Sequence, residues 1–125
     1  MVEVLTEKNP LVIKNSFLAK NIKYNYNSML IKAVENGNTI GRALFFIENK
    51  KLVLQYLEPQ KDIMLIDGLI RSVLHYASEN LIEEAFYELT APEELLEKLG
   101  FIDNKEDKKL LMLGLIASCE NCKNK

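Results

Sequence analysis

Leu95-Leu96-Glu97-Lys98-Leu99-Gly100-Phe101 is the stretch on which the reading of this chain turns. Its three leucines give a short helix an apolar face, Gly100 supplies the left-handed residue that ends it, and Phe101 packs back. Just before it, Thr90-Ala91-Pro92-Glu93 has the spacing of a capping box, in which threonine and glutamate each satisfy an orphan amide. Working outward, Glu84 to Leu89 has strand character. From about Lys61 to Asn80 apolar residues recur at helical spacing, at Ile66, Leu69 or Ile70, Val73, Ala77 and Leu81. Pro59 closes a strand from Leu52 to Leu57, because proline cannot donate to a ladder. Asn49-Lys50 is a tight turn, Thr39 to Glu48 another strand, and Asn36-Gly37 a type I′ hairpin signal after a strand from Ser28 to Glu35. A three-stranded meander thus leads into helix, strand and short helix.

At the start of the chain, Asn9-Pro10 reads as a cap followed by proline in the first helical position. The helix is expected from Pro10 to Lys20 with Leu11, Phe17 and Leu18 buried, and the Asn21 to Asn27 stretch as loop. Asp103 to Lys109 reads as a charged loop. The apolar run Leu110 to Ile116 fits a strand or a buried helix by periodicity.

The 125 residues fit one domain, residues 1–125, with a Cys-x-x-Cys tail at about 117–125. A hydrophobic share of 48% and a charged share of 27% are those of an ordinary soluble globule. The formal net charge of −2 offers no basic field to a nucleic acid, and the arginines are Arg42 and Arg71 alone. No apolar run reaches the ~20 residues needed to span a bilayer. Met1 to Lys8 lacks the basic start and apolar core of a signal peptide. A cytoplasmic protein with neither nucleic-acid nor membrane partner is expected.

In this order of elements, with Gly41 in the hairpin, Tyr76-Ala77 closing the long helix and Leu95 to Phe101 closing the short one, the chain resembles the GNAT superfamily of acetyl-CoA-dependent N-acetyltransferases. The resemblance implies an α/β fold with a mixed, mostly antiparallel sheet flanked by helices on both faces, and it favours a strand for Leu110 to Ile116. It also implies acetyl transfer from acetyl-CoA to an amine of a small molecule or a protein, with the pantetheine arm pairing along the strand that ends at Leu57 and the pyrophosphate resting on the N-terminus of the long helix. By position the phosphate loop falls on Lys61, Asp62, Ile63, Met64, Leu65 and Ile66. None of the glycines expected there is present, and Asp62 brings a negative charge to a place meant for phosphates. Leu96 stands where many relatives carry a tyrosine that protonates the leaving thiolate.

Glu58, at the end of the same strand, matches the place where some relatives put a general base acting through water; otherwise a glutamate before proline is a solvated strand end. Tyr56 and Tyr87 replace the missing acid if either faces the cleft, and pack in the core if not. His75, the one histidine, falls late in the long helix, away from that site. Cys119 and Cys122 supply two of the four ligands of a structural zinc, so a zinc-linked or redox-responsive homodimer competes with an inert tail. Besides the acetyltransferase, a catalytically degenerate GNAT-fold binding domain is therefore a live expectation. A cleft open beside Leu57 to Ile66 separates the enzyme from that domain, in which Ile63 and Met64 would fill it.

Overall fold

Two tight turns with positive φ at both central residues fold the middle of the chain into a meander. They lie at Asn36 and Gly37 (52° and 80°) and at Asn49 and Lys50 (53° and 62°), as type I′ geometry demands. The computed structural model describes residues 1–112. They run β1 (Val2–Thr6), α1 (Pro10–Ala19), β2 (Ser28–Glu35), β3 (Asn38–Glu48), β4 (Lys51–Glu58), α2 (Ile63–Glu79), β5 (Glu84–Tyr87), α3 (Glu93–Lys98), β6 (Ile102–Asn104) and β7 (Lys109–Leu110). Among the described residues they form one seven-stranded sheet in the order β1-β2-β3-β4-β5-β7-β6. β4 and β5 are parallel, and α2 is the crossover between them; the other recorded pairings are antiparallel.

Neighbouring residues on each strand point to opposite faces, and the sheet has a core on both. Ile31 and Phe45 join α2's Ile66, Leu69, Ile70, Val73, Leu74 and Ala77 in the larger cluster, which also takes Leu96 and Phe101. Leu30 and Leu44, one residue away in sequence, pack with Phe17 of α1 and Ile22 on the opposite face. Helices therefore cover both faces, as expected.

Several local expectations need correction. β1 was not foreseen; it pairs with β2 from Val2↔Glu35 to Thr6↔Ile31. In α1, Phe17 is buried, but Leu11 and Leu18 are exposed. Ile13 and Phe17, one turn apart, face the sheet, which turns the neighbouring face carrying Leu11 and Leu18 to solvent. The charged stretch after Phe101 is partly strand, since β6 and β7 pair through it. Leu110 is in β7, while residues 113–125, including Cys119, Cys122 and the end of the apolar run, lie outside the described residues. The capping box does not form either. α3 is capped by Pro92, without a side-chain hydrogen bond, and the Glu93 carboxylate instead accepts from Tyr87.

The three helices among the described residues end in the same Schellman geometry. The amides of Ile22, Ile82 and Phe101 donate to the carbonyls of Phe17, Ala77 and Leu96, at 3.0, 2.9 and 3.0 Å. The residue before each has positive φ: Asn21 (58°), Leu81 (59°) and Gly100 (83°). The residue after the turn returns to the core in every case, so one device both satisfies the last carbonyls and reverses the chain. This also explains why Leu81, read as part of α2's apolar face, is 82% exposed. Leu81→Gly is expected to raise stability by roughly 0.5–1 kcal/mol, because a leucine strains in the left-handed region. Gly100→Val is expected to lower it by roughly 1–2 kcal/mol. A Cβ at Gly100 meets nothing within 4 Å, so that cost is backbone strain rather than a clash. Urea midpoints at unchanged m-value check both; equal midpoints for the variants and the parent would refute the assignment.

Candidate active site

β4 and β5 pair from Lys51↔Glu84 to Leu54↔Tyr87, and the Glu88 amide still donates to the Leu54 carbonyl at 2.9 Å. There the strands part. Leu44 lies opposite Tyr56 and Phe45 opposite Leu54, which leaves Gln55 as the extra residue of a β-bulge. From Tyr56 to Glu58, β4 keeps β3 on one side, and its pairing with β5 has ended. The Gln55 side chain is buried beside the parting; its amide donates to Glu88 Oε1 at 3.2 Å, and its own Oε1 has no hydrogen-bond partner. Beyond the parting, Gln60, Leu89, Ala91 and the first turn of α3 enclose an open cavity of about 540 Å³.

The long helix opens near the same end of β4. Gly41 of β3 allows the close approach: a Cβ there would lie 3.1 Å from the Glu58 carbonyl oxygen and from the Leu65 and Leu69 side chains. Asp62 is the N-cap of α2, its carboxylate accepting from the Leu65 amide at 3.1 Å. The Ile66 amide bonds to the Asp62 carbonyl, so the amides of Ile63 and Met64 are the ones without an intrahelical acceptor. Lys61 is exposed, as are the Ile63 and Met64 side chains, which project outward instead of filling a cleft; Ile66 is in the core. Leu57 is buried under α2.

Tyr56 and Glu58 turn to the other face, toward α1. Lys20, at the end of α1, stands 5.6 Å from the centre of the Tyr56 ring and 3.5 Å from Glu58 Oε2. Arg42, directly across on β3, stands 3.6 Å from Glu58 Oε1, a buried atom with no hydrogen-bond partner. Val12, Asn15, Ser16 and Ala19 of α1 complete a second cavity of about 370 Å³ over this cluster. Sequence reasoning missed Lys20, Arg42 and Gln55. Counting outward from the Asn49-Lys50 turn pairs Arg42 with Leu57, and only the bulge moves it opposite Glu58.

Tyr87 is 2% exposed, and its hydroxyl donates to Glu93 Oε2 at 2.6 Å, at the rim of the first cavity. Burial, then the Glu93 carboxylate and the charge of Glu97, push its pKa from 10.0 up to about 12. A phenol that holds its proton so firmly is a poor acid toward a thiolate, whose conjugate thiol has an ordinary pKa of ~8.5. Leu96 is fully buried. His75 is exposed on α2 and 3.0 Å from Glu79. A larger groove, about 600 Å³, lies between β1 and α2, but its Arg71 and His75 already face Asp67 and Glu79 of their own helix. Among the described residues no cluster of histidine, cysteine and acidic side chains could hold a metal, and no helix is long and apolar enough to cross a membrane.

No protein-family model and no curated protein matches the sequence. Solved structures do match. The IAA acetyltransferase from Bacillus cereus superposes with a TM-score of 0.62 at 15% identity, over 82% of this chain and 77% of its own. The ribosomal-protein-S18-alanine N-acetyltransferase from Escherichia coli gives 0.59 at 11%, over 87% and 88%. A predicted acetyltransferase from Clostridium acetobutylicum, solved with acetyl-CoA, gives 0.54 at 17%, over 91% and 98%. The fold is therefore that of the GNAT acyltransferases.

Two predictions follow from the geometry of the helix start and of Tyr87. Asparagine caps helices as well as aspartate but lacks its charge, so Asp62→Asn is expected to keep the cap and lose the dipole contribution, roughly 0.3–1 kcal/mol of stability. Urea midpoints of the parent, Asp62→Asn and Asp62→Ala check this, and an asparagine variant as unstable as the alanine variant would contradict the cap. The raised pKa of Tyr87 favours the neutral phenol in the folded state. Its contribution to stability is thus complete below pH 10.0 and lost as the pH rises toward about 12. Urea midpoints between about pH 9 and 11 should fall more steeply in the parent than in Tyr87→Phe; parallel curves would contradict the assignment.

Proposed function

We propose that this chain is a divergent member of the GNAT superfamily that transfers the acetyl group of acetyl-CoA to an amine. The observation that carries the reading is the parting of β4 from β5 at the Gln55 bulge, with a cavity open beyond it. Backbone along Tyr56 to Glu58 has no strand partner on that side and offers peptide groups to an amide-bearing arm; the Leu57 side chain faces away into the core, and the Leu57 carbonyl accepts from the Gln60 side-chain amide at a long 3.5 Å. The Ile63 and Met64 amides, with Lys61 beside them, are the groups available to a pyrophosphate. Asp62 opposes it, and the exposed Ile63 and Met64 side chains replace the glycines that would let phosphates approach closely. The residues thus suit the pantetheine arm better than the phosphates, so weak binding is part of the proposal.

Acetyl-CoA, when bound, supplies the thioester: the acceptor nitrogen forms the new C–N bond as the C–S bond breaks and CoA leaves as its thiolate. Glu58 receives the nitrogen's proton, directly or through one water, on the face of the sheet that carries the second cavity. Tyr56 lies on the same face, its ring backed by Lys20. With Leu96 buried and Tyr87 holding its proton, neither protonates the thiolate, and positioning supplies most of the rate.

Titration with acetyl-CoA and with CoA tests binding; no heat at millimolar cofactor would remove the reading. Where CoA release is measurable, Glu58→Gln is expected to slow it by about 10²-fold or more, and full retained activity would remove Glu58 as the base.

A further inference from the structure

On the face of the sheet toward α1, three strands bring a row of charges together. Lys32, Arg42 and Glu58 are successive partners across β2, β3 and β4. Lys32 is closed off by Glu7, 2.6 Å away, whose carboxyl is held below the usual carboxylate range by that contact. The remainder is unbalanced, because Glu58 alone faces both Arg42 and Lys20. Its distances to them, 3.6 and 3.5 Å, are longer than charge-assisted hydrogen bonds, so both cations keep their donors free. Each is more than one-third exposed, and both line the second cavity.

A ligand that brought only an ammonium group would meet a net positive pocket. A ligand that brought a carboxylate would meet a guanidinium fork suited to it, and an amine a few bonds from that carboxylate would lie next to Glu58. Asn15 and Ser16 supply neutral polar groups, Val12 and Ala19 a small apolar wall, and about 370 Å³ is room for a single residue rather than a folded partner. We infer that the acceptor is a free amino acid or a similarly small amine carrying a carboxylate, with Arg42 and Lys20 binding the carboxylate. The inference rests on the acetyl-transfer reading for the fate of the amine, but not for the binding.

The test compares L-leucine with L-leucinamide, which differ in the carboxylate, by CoA release and separately by saturation-transfer NMR. The expected kcat/KM for leucine exceeds that for leucinamide by about tenfold or more, and Arg42→Gln and Lys20→Gln each shrink that ratio toward one, while Arg42→Lys retains part of it. Lys20 is exposed at the end of α1, so its variant remains informative should Arg42→Gln fail to fold. A leucinamide that reacts as well as leucine, or a ratio that survives both substitutions, would overturn the inference. If no acceptor releases CoA, transfer itself fails. The NMR comparison then decides the ligand on its own: preferential binding of leucine that is lost in the variants supports the site, and equal or absent binding overturns it.

Discussion

At Gly41 the backbone of β3 passes so close beneath α2 that a single methyl group would crowd the side chains of Leu65 and Leu69 and the carbonyl of Glu58. Those three neighbours belong to the first turns of the helix and to the last residue of β4. One missing side chain therefore sets how far the helix start stands from the strand end, and with it the geometry of the proposed site. Overpacking of this kind costs on the order of 1–3 kcal/mol, or is relieved by moving the helix. Either response would disturb the relation between the Ile63 and Met64 amides and the open edge of β4.

The two helix starts beside the cleft show how a single carboxylate answers competing local demands. At α2, Asp62 satisfies an orphan amide and complements the dipole, which helps the helix and would oppose the phosphates of the proposed cofactor. At α3, Glu93 is drawn away from the capping role its spacing suggests, because the buried hydroxyl of Tyr87 needs an acceptor more than the exposed helix start does. The carboxylate still lies in the first turn, where the dipole favours it.

Much of the fold was legible because its signals are local. Asn36-Gly37 and Asn49 announced their turns as residues that tolerate positive φ, and Gly100-Phe101 announced the end of α3. What could not be read were the places where one residue breaks a period. The bulge at Gln55 puts Leu54 and Leu57 on one face although they are three apart, and it shifts Arg42 from Leu57 to Glu58. No residue type marks such a bulge, so the charge cluster that depends on it was invisible. β1 was missed because its side chains are largely exposed and it alternates with no buried face, and Leu81 because a leucine in a left-handed cap defies its own preference. Glu58 and Tyr56 were picked out by position, yet their surroundings come from α1 and β3, which sequence spacing does not connect to them.

The stretch from Tyr56 to Glu58 is an edge strand in the interior of a sheet, and open edges recruit other chains. This one ends in devices that natural sheets use at their outer borders. Pro59 removes the next donor, Glu58 puts a charge on the last residue, and Lys20 and Arg42 surround it with cations. Against strands of another protein, the row of charges thus acts as a gatekeeper. On the proposed reading the edge would still take a slender ligand with its own amide groups, while these devices disfavour the extended hydrophobic segments from which aggregates grow.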